Sequence, residues 1–102
     1  MSKIDDKIAL AFVNKRNVTI TNTTVKDRAV YLHGNKIAWI DETGALHISH
    51  CGWLTRATMS RLSAILHAFS TGMTVYLKGG GLAWYTKDGV IKPFVEPIAI
   101  MR

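Results

Sequence analysis

"AVYLHGNKIAWIDETGALHI" occupies residues 29–48 and "TVYLKGGGLAWYTKDGVIKP" residues 74–93. At an offset of 45 residues they match at Val30/Val75, Tyr31/Tyr76, Leu32/Leu77, Gly34/Gly79, Ala38/Ala83, Trp39/Trp84 and Gly44/Gly89. The reading of this repeat decides the fold. In "YLHGNKIAW" the pair Gly34-Asn35 suits a two-residue hairpin turn, because both residue types tolerate positive φ. That turn sets Leu32 opposite Ile37 and Val30 opposite Trp39. In the second copy a turn at Gly79-Gly80 sets Leu77 opposite Leu82 and Val75 opposite Trp84. Residues two apart on a strand share a face. Both copies are therefore expected to show the same apolar face, with Trp39 and Trp84 in equivalent inward positions. "DETG" and "TKDG" supply a second turn, and Leu46, Ile48 and Ile91 begin a third strand. Each copy reads as a three-stranded antiparallel meander.

Between the copies lies "TRATMSRLSAILHAFSTG". Met59, Leu62, Ile65, Leu66 and Phe69 form one helical stripe, with Thr55 as N-cap and Gly72 as terminator. The helix should run from near Arg56 to Phe69 and pack on a sheet built from both meanders. Ahead of the repeat, "VTITNTTV" is rich in β-branched residues and reads as a strand. Residues 1–16 carry Ile4, Ile8, Ala11 and Phe12 at helical spacing, with Ser2 as a candidate N-cap. The alternation Ile8, Leu10, Phe12 is the competing strand pattern, and the Ala, Leu and Lys content favours a short N-terminal helix. The expected class is α+β, in a single domain over residues 1–102.

Composition sets outer bounds. The chain has 102 residues, 48% of them apolar, enough for a core without disulfides or metals. No stretch approaches the ~18 consecutive apolar residues of a membrane-spanning helix. The N-terminus lacks a secretory pattern, with Asp5 and Asp6 where basic residues belong. Cys51 is the single cysteine, which excludes an internal disulfide and fits a reducing cytoplasm. Formal charge is +6, and five of the seven acids lie at or before Glu42. No Asp or Glu occurs between Glu42 and Asp88, where Arg56, Arg61, Lys78 and Lys87 are found. Such a balance favours polyanionic partners.

The segment from Leu32 to Leu62 resembles a pattern in small, uncharacterised proteins of tailed bacteriophages. Those pair an "LHGN-IA" hairpin with a "GW-T-TT---RLN" segment. The matching residues are Leu32, His33, Gly34, Asn35, Ile37, Ala38, Gly52, Trp53, Thr55, Thr58, Arg61 and Leu62, within a resemblance over roughly residues 22–66. Ala57 replaces a usual Thr, and Ser63 a usual Asn. The resemblance implies a phage origin and a bacterial host cytoplasm, and it brings no activity with it.

Catalytic signatures are weak. His47, His50 and Cys51 cluster in "HISHCGW", yet tetrahedral zinc needs about four convergent ligands and no Cys-x-x-Cys pair is present. A Cys51/His50 nucleophile requires an oriented base, and neighbours on a strand point apart. "GNKIAW" and "GGGLAW" lack the lysine and hydroxyl of a phosphate loop. No cofactor, metal or enzymatic role is expected. The feature left over is the face opposite Val, Leu and Trp. It should carry Tyr31, His33 and Lys36 in the first copy and Tyr76, Lys78 and Tyr85 in the second. Tyrosine interleaved with lysine suits base stacking and phosphate neutralisation. With Arg56 and Arg61 these residues form the expected nucleic-acid surface, for DNA or RNA. The alternative is a phage effector that binds a host protein through Tyr, Trp and Met anchors. An exposed sheet edge also offers a route to a homodimer.

Overall fold

The computed structural model describes residues 3–95 and 97–100, so the expected cap at Ser2 lies outside the described residues. Helix α1 (Lys3–Val13) buries Asp5, Ile8, Ala9 and Phe12, the 3–4 spacing of one helical face. It ends in a Schellman arrangement: Lys15 N–H bonds to Phe12 C=O and Arg16 N–H to Ala11 C=O, with Lys15 at φ 58°. Helix α2 (Arg56–Ala68) starts on the expected cap, the Thr55 hydroxyl accepting from Thr58 N–H at 3.2 Å. Its terminator is Ser70 rather than Gly72. Ser70 sits at φ 55°, and Ser70 and Thr71 N–H bond back to His67 and Leu66 C=O. The hydrogen-bond pattern chose the position, and glycine was not needed there.

The strands are β1 (Val18–Ile20), β2 (Thr23–Lys26), β3 (Ala29–Leu32), β4 (Asn35–Ile40), β5 (Leu46–Ile48), β6 (Thr74–Lys78), β7 (Leu82–Lys87), β8 (Val90–Pro93) and β9 (Ile98–Ile100). Both meanders are present, as β3–β4–β5 and β6–β7–β8, and the class is α+β. They do not join into one sheet as expected. The first is extended on both sides into a six-stranded sheet, ordered β1-β2-β3-β4-β5-β9, and the second is a separate three-stranded sheet. Here these are the large and the small sheet.

Both hairpin registers differ from the expected ones. In the first copy the turn residues are His33 and Gly34, at φ 52° and 81°, so Leu32 pairs with Asn35 and Tyr31 with Lys36. Two consecutive positive φ values define a type I′ turn, which matches strand twist. The Asn35 side chain closes it, donating to Leu32 C=O at 3.3 Å. The register then shifts, Val30 pairing with Ala38 and Ala29 with Trp39. Ile37 is the extra residue of this β-bulge, and Ile37 and Ala38 are both buried. In the second copy the loop is a 3₁₀ turn, Gly79–Gly81, and Lys78 pairs with Leu82. That one-residue change moves every later side chain to the opposite face. As a result Trp39 and Trp84 are half-buried on outward faces, not inward.

The helices pack together and against the inner face of the large sheet. Ile8, Phe12, Leu62, Ile65 and Leu66 share one core with Val25, Val30, Leu32, Ile37, Leu46 and Ile48. Phe12 meets Phe69 edge-on at 5.4 Å between ring centroids. The small sheet adds Val75 and Ala83 to the same core, and Phe94, just after β8, joins them. Helix α2 also covers the β6 edge. The Ser63 hydroxyl donates to Val75 C=O at 2.9 Å and accepts from Val75 N–H at 3.2 Å.

Candidate interface on the outward faces of the two sheets

On the large sheet, strand alternation brings Tyr31, Lys36, Trp39 and His47 to the outward face. Tyr31 is paired with Lys36 across β3–β4, and Trp39 with His47 across β4–β5. The imidazole of His47 stacks on Trp39 at 5.1 Å with an interplanar angle of 3°, and Lys36 Nζ lies 5.1 Å from the Trp39 ring centroid. Lys26 shares this face, two positions from Thr24, which is opposite Tyr31. His47 is held from below by Asp41, Nε2 to Oδ2 at 2.6 Å. Asp41 also accepts from the Thr43 hydroxyl at 2.5 Å and from the Thr43 and Ala45 N–H groups. These bonds, the Thr43 hydroxyl first and His47 second, hold its carboxyl well below the usual carboxylate range.

On the small sheet, Tyr76 pairs with Trp84, and Lys78 Nζ lies 5.7 Å from the Trp84 centroid. Both ammonium groups are within the ~6 Å reach of a cation–π interaction. A tyrosine, a lysine and a tryptophan therefore recur together on the outward face of both copies. Sequence reasoning found the tyrosines and lysines and missed both tryptophans and His47. A two-residue loop with unbroken pairing puts Tyr and Trp of each copy on opposite faces; the bulge at Ile37 and the three-residue loop at 79–81 bring them to one face.

The other expected site residues are dispersed. His33 stands in the β3–β4 turn, stacked on Trp53 at 6.0 Å, with Nε2 3.2 Å from Asn22 Nδ2. Arg56 is exposed at the start of α2 and shares a shallow depression with Tyr76, Ser60 and Ser63. Tyr85 is on the inner face of the small sheet, packed against the core, because the three-residue loop reversed its orientation. Arg61 is not on the outward face but inside the fold. It is 8% exposed, ion-paired with the Asp5 carboxylate, and donates to Thr23 Oγ1 at 2.8 Å and Asn22 Oδ1 at 3.2 Å. Ser60 donates to the same carboxylate. Buried charge needs a partner, and this network joins α1, α2 and the large sheet.

His47, His50 and Cys51 do not converge on one another. His50 Nε2 is 2.9 Å from Phe94 C=O, and its Nδ1 accepts from Gly52 N–H at 3.0 Å. Cys51 Sγ donates to Lys36 C=O at 3.0 Å. Cys51 and Gly52 both have positive φ, 54° and 77°. This tied loop presents Trp53, 47% exposed, and Leu54 to solvent. Leu54 borders a small depression shared with Leu82, Trp84, Pro93 and Val95. Among the described residues no helix is long and apolar enough to cross a membrane.

Fold and surface together describe a small basic α+β protein with a duplicated hairpin that displays aromatic and cationic side chains. The family model for the Kyanoviridae Gp96 protein matches residues 1–100, and the chain belongs to that bacteriophage protein family. Comparison with curated proteins and with solved structures gives no match.

Proposed function

We propose that the protein acts by binding, not catalysis, and that its ligand is nucleic acid held on the outward hairpin faces. The observation that supports this reading is the repeated trio: Tyr31, Lys36 and Trp39 on one sheet, and Tyr76, Lys78 and Trp84 on the other. Aromatic rings offer stacking platforms that tolerate any base, and lysines neutralise phosphates. Net charge of +6 adds long-range attraction. The bacterial host cytoplasm is the proposed place of action. The test is titration of labelled single- and double-stranded DNA and RNA at several salt concentrations. Lys78→Ala should weaken binding to all sequences equally and lower the salt slope by roughly 0.7–0.9. Trp84→Ala should cost about 1–3 kcal/mol for one lost base contact and leave that slope unchanged. Absence of binding by the folded protein at about 50 mM salt removes the reading.

A second reading has its own support. Leu54, Leu82 and Val95 are exposed around the depression that includes Trp84, with Leu82 56% and Val95 69% exposed, and Trp53, next to Leu54 in the chain, is 47% exposed. Exposed apolar clusters of this kind suit a host-protein contact. Salt-tolerant, nuclease-insensitive capture of one host protein that Trp53→Ala abolishes would favour it over nucleic acid.

A further inference from the structure

We propose that β9, one of the two edge strands of the large sheet, accepts an extended acidic segment of a partner protein as an additional strand. A depression of about 440 Å³ lies along this edge. Its floor is β9 itself, Ile98, Ala99 and Ile100, and its roof is the inner face of the small sheet at Tyr85 and Val90. The depression is thus a slot bordered by the last strand and the small sheet.

Backbone hydrogen bonding gives the slot its polarity. Asp41 N–H bonds to Ala45 C=O and Ser49 N–H to Ile37 C=O, so the odd-numbered residues around β5 turn their polar groups to β4. Leu46 and Ile48 then turn theirs to β9, where they pair with Ile100 and Ile98. By the same alternation the N–H and C=O of Ala99 point away from β5, into the slot. Among the described residues no strand pairs there. An incoming strand would satisfy both groups, the basis of strand addition at sheet edges.

The edges of β8 and β9 each present one complete outward pair, Ile91 and Ala99, because Pro93 and Pro97 have no N–H. The depression lies along β9, and Ala99 is among its lining residues while Ile91 is not. Charge decides between a partner and a second copy. Lys87 and Lys92 line the slot against the single acid Asp88, and the whole chain carries +6. Two copies, each carrying +6, would repel one another, whereas an acidic segment is attracted. A segment with alternating apolar and acidic residues fits the apolar roof and the lysine rim together.

The experiment uses the full chain labelled with ¹⁵N and, as probe, the peptide acetyl-Glu-Val-Glu-Val-Glu-Val-Glu-amide. Saturable shifts at the Ala99 and Val90 amides, with slowed exchange at Ala99, are expected. Replacing every Glu by Lys, or N-methylating alternate residues, should abolish them. The exposed pair Lys87→Glu and Lys92→Glu should weaken binding about tenfold while the melting temperature stays unchanged. Four results would overturn the proposal: no saturable shift, equal binding of the basic peptide, binding that survives N-methylation, or a dimer closing the slot without peptide.

Discussion

The two copies of the hairpin use the same number of residues between tyrosine and tryptophan and dispose of them differently. From Tyr31 to Trp39 the chain makes a two-residue turn and then a bulge at Ile37. From Tyr76 to Trp84 it makes a three-residue loop and pairs without interruption. The odd residue goes into the strand in one case and into the loop in the other. Parity is the same in both, so each tryptophan lands outward beside its lysine. What differs is the surroundings. The first copy is flanked by β2 and β9 and backed by both helices, and its third strand is buried. The third strand of the second copy, β8, is exposed along its length. A local sequence pattern set the pairing, and tertiary context set the burial.

The sharpest way to break this contrast is at the network that anchors the large sheet. Arg61 and Asp5 are buried, and Arg61 reaches Thr23 and Asn22 beside the first copy. Arg61→Ala leaves the Asp5 charge without its guanidinium, and should cost about 3–5 kcal/mol in denaturant unfolding. Replacing the pair together by Met and Leu should cost markedly less, because no uncompensated charge remains. A small loss in the single variant would mean that the network is not what holds α1 and α2 to the sheet.

Leu46 and Ile91 are equivalent by the repeat but opposite in burial, at 0% and 53% exposed. Leu46→Ala should cost about 2–5 kcal/mol. Ile91→Ala should fall within about 0.5 kcal/mol of the parent. Hydrogen exchange should show the same asymmetry, with β8 amides exchanging well before those of β5. Equal costs at the two positions would erase the distinction between the copies.

Trp39 and Trp84 test the register itself. Fully buried, each would cost about 3–5 kcal/mol on truncation to Ala. Half-buried on an outward face, each should cost roughly 1 kcal/mol, including the lysine contact. The same residues mark the limit of sequence reading. Helix α2 and its cap were legible because Thr55 and the stripe from Met59 to Leu66 are local signals. The pairing of strands was legible because the repeat states it twice. The register was not. Glycine and asparagine suit a turn at 34–35 as well as histidine and glycine suit one at 33–34, and nothing local announces the bulge at Ile37. Arg61 was unreadable for another reason: its partners Asp5, Thr23 and Asn22 are distant in sequence, and only the packed fold brings them together.

The smallest expected effect separates the two second turns. Asp41 caps the first, and Thr86 stands at the equivalent position of the second. The Asp41 carboxyl titrates below the normal range because it accepts from the Thr43 hydroxyl, from His47 and from two backbone N–H groups. A folded-state value below the unfolded one, about 3.9, makes the carboxylate stabilising. That contribution is complete above the unfolded value. It is lost as pH falls below it toward the folded value, when the proton blocks those acceptor bonds. Asp41→Asn should therefore differ most from the parent near neutral pH, and the gap should narrow as pH is lowered from about 6 to about 2. The side chain is partly exposed, so screening keeps the gap modest and added salt should reduce the His47 part of it. Unfolding curves for parent and variant across that pH range provide the measurement. A gap that stays constant with pH would assign the turn's stability to its backbone geometry and leave the carboxylate with no share.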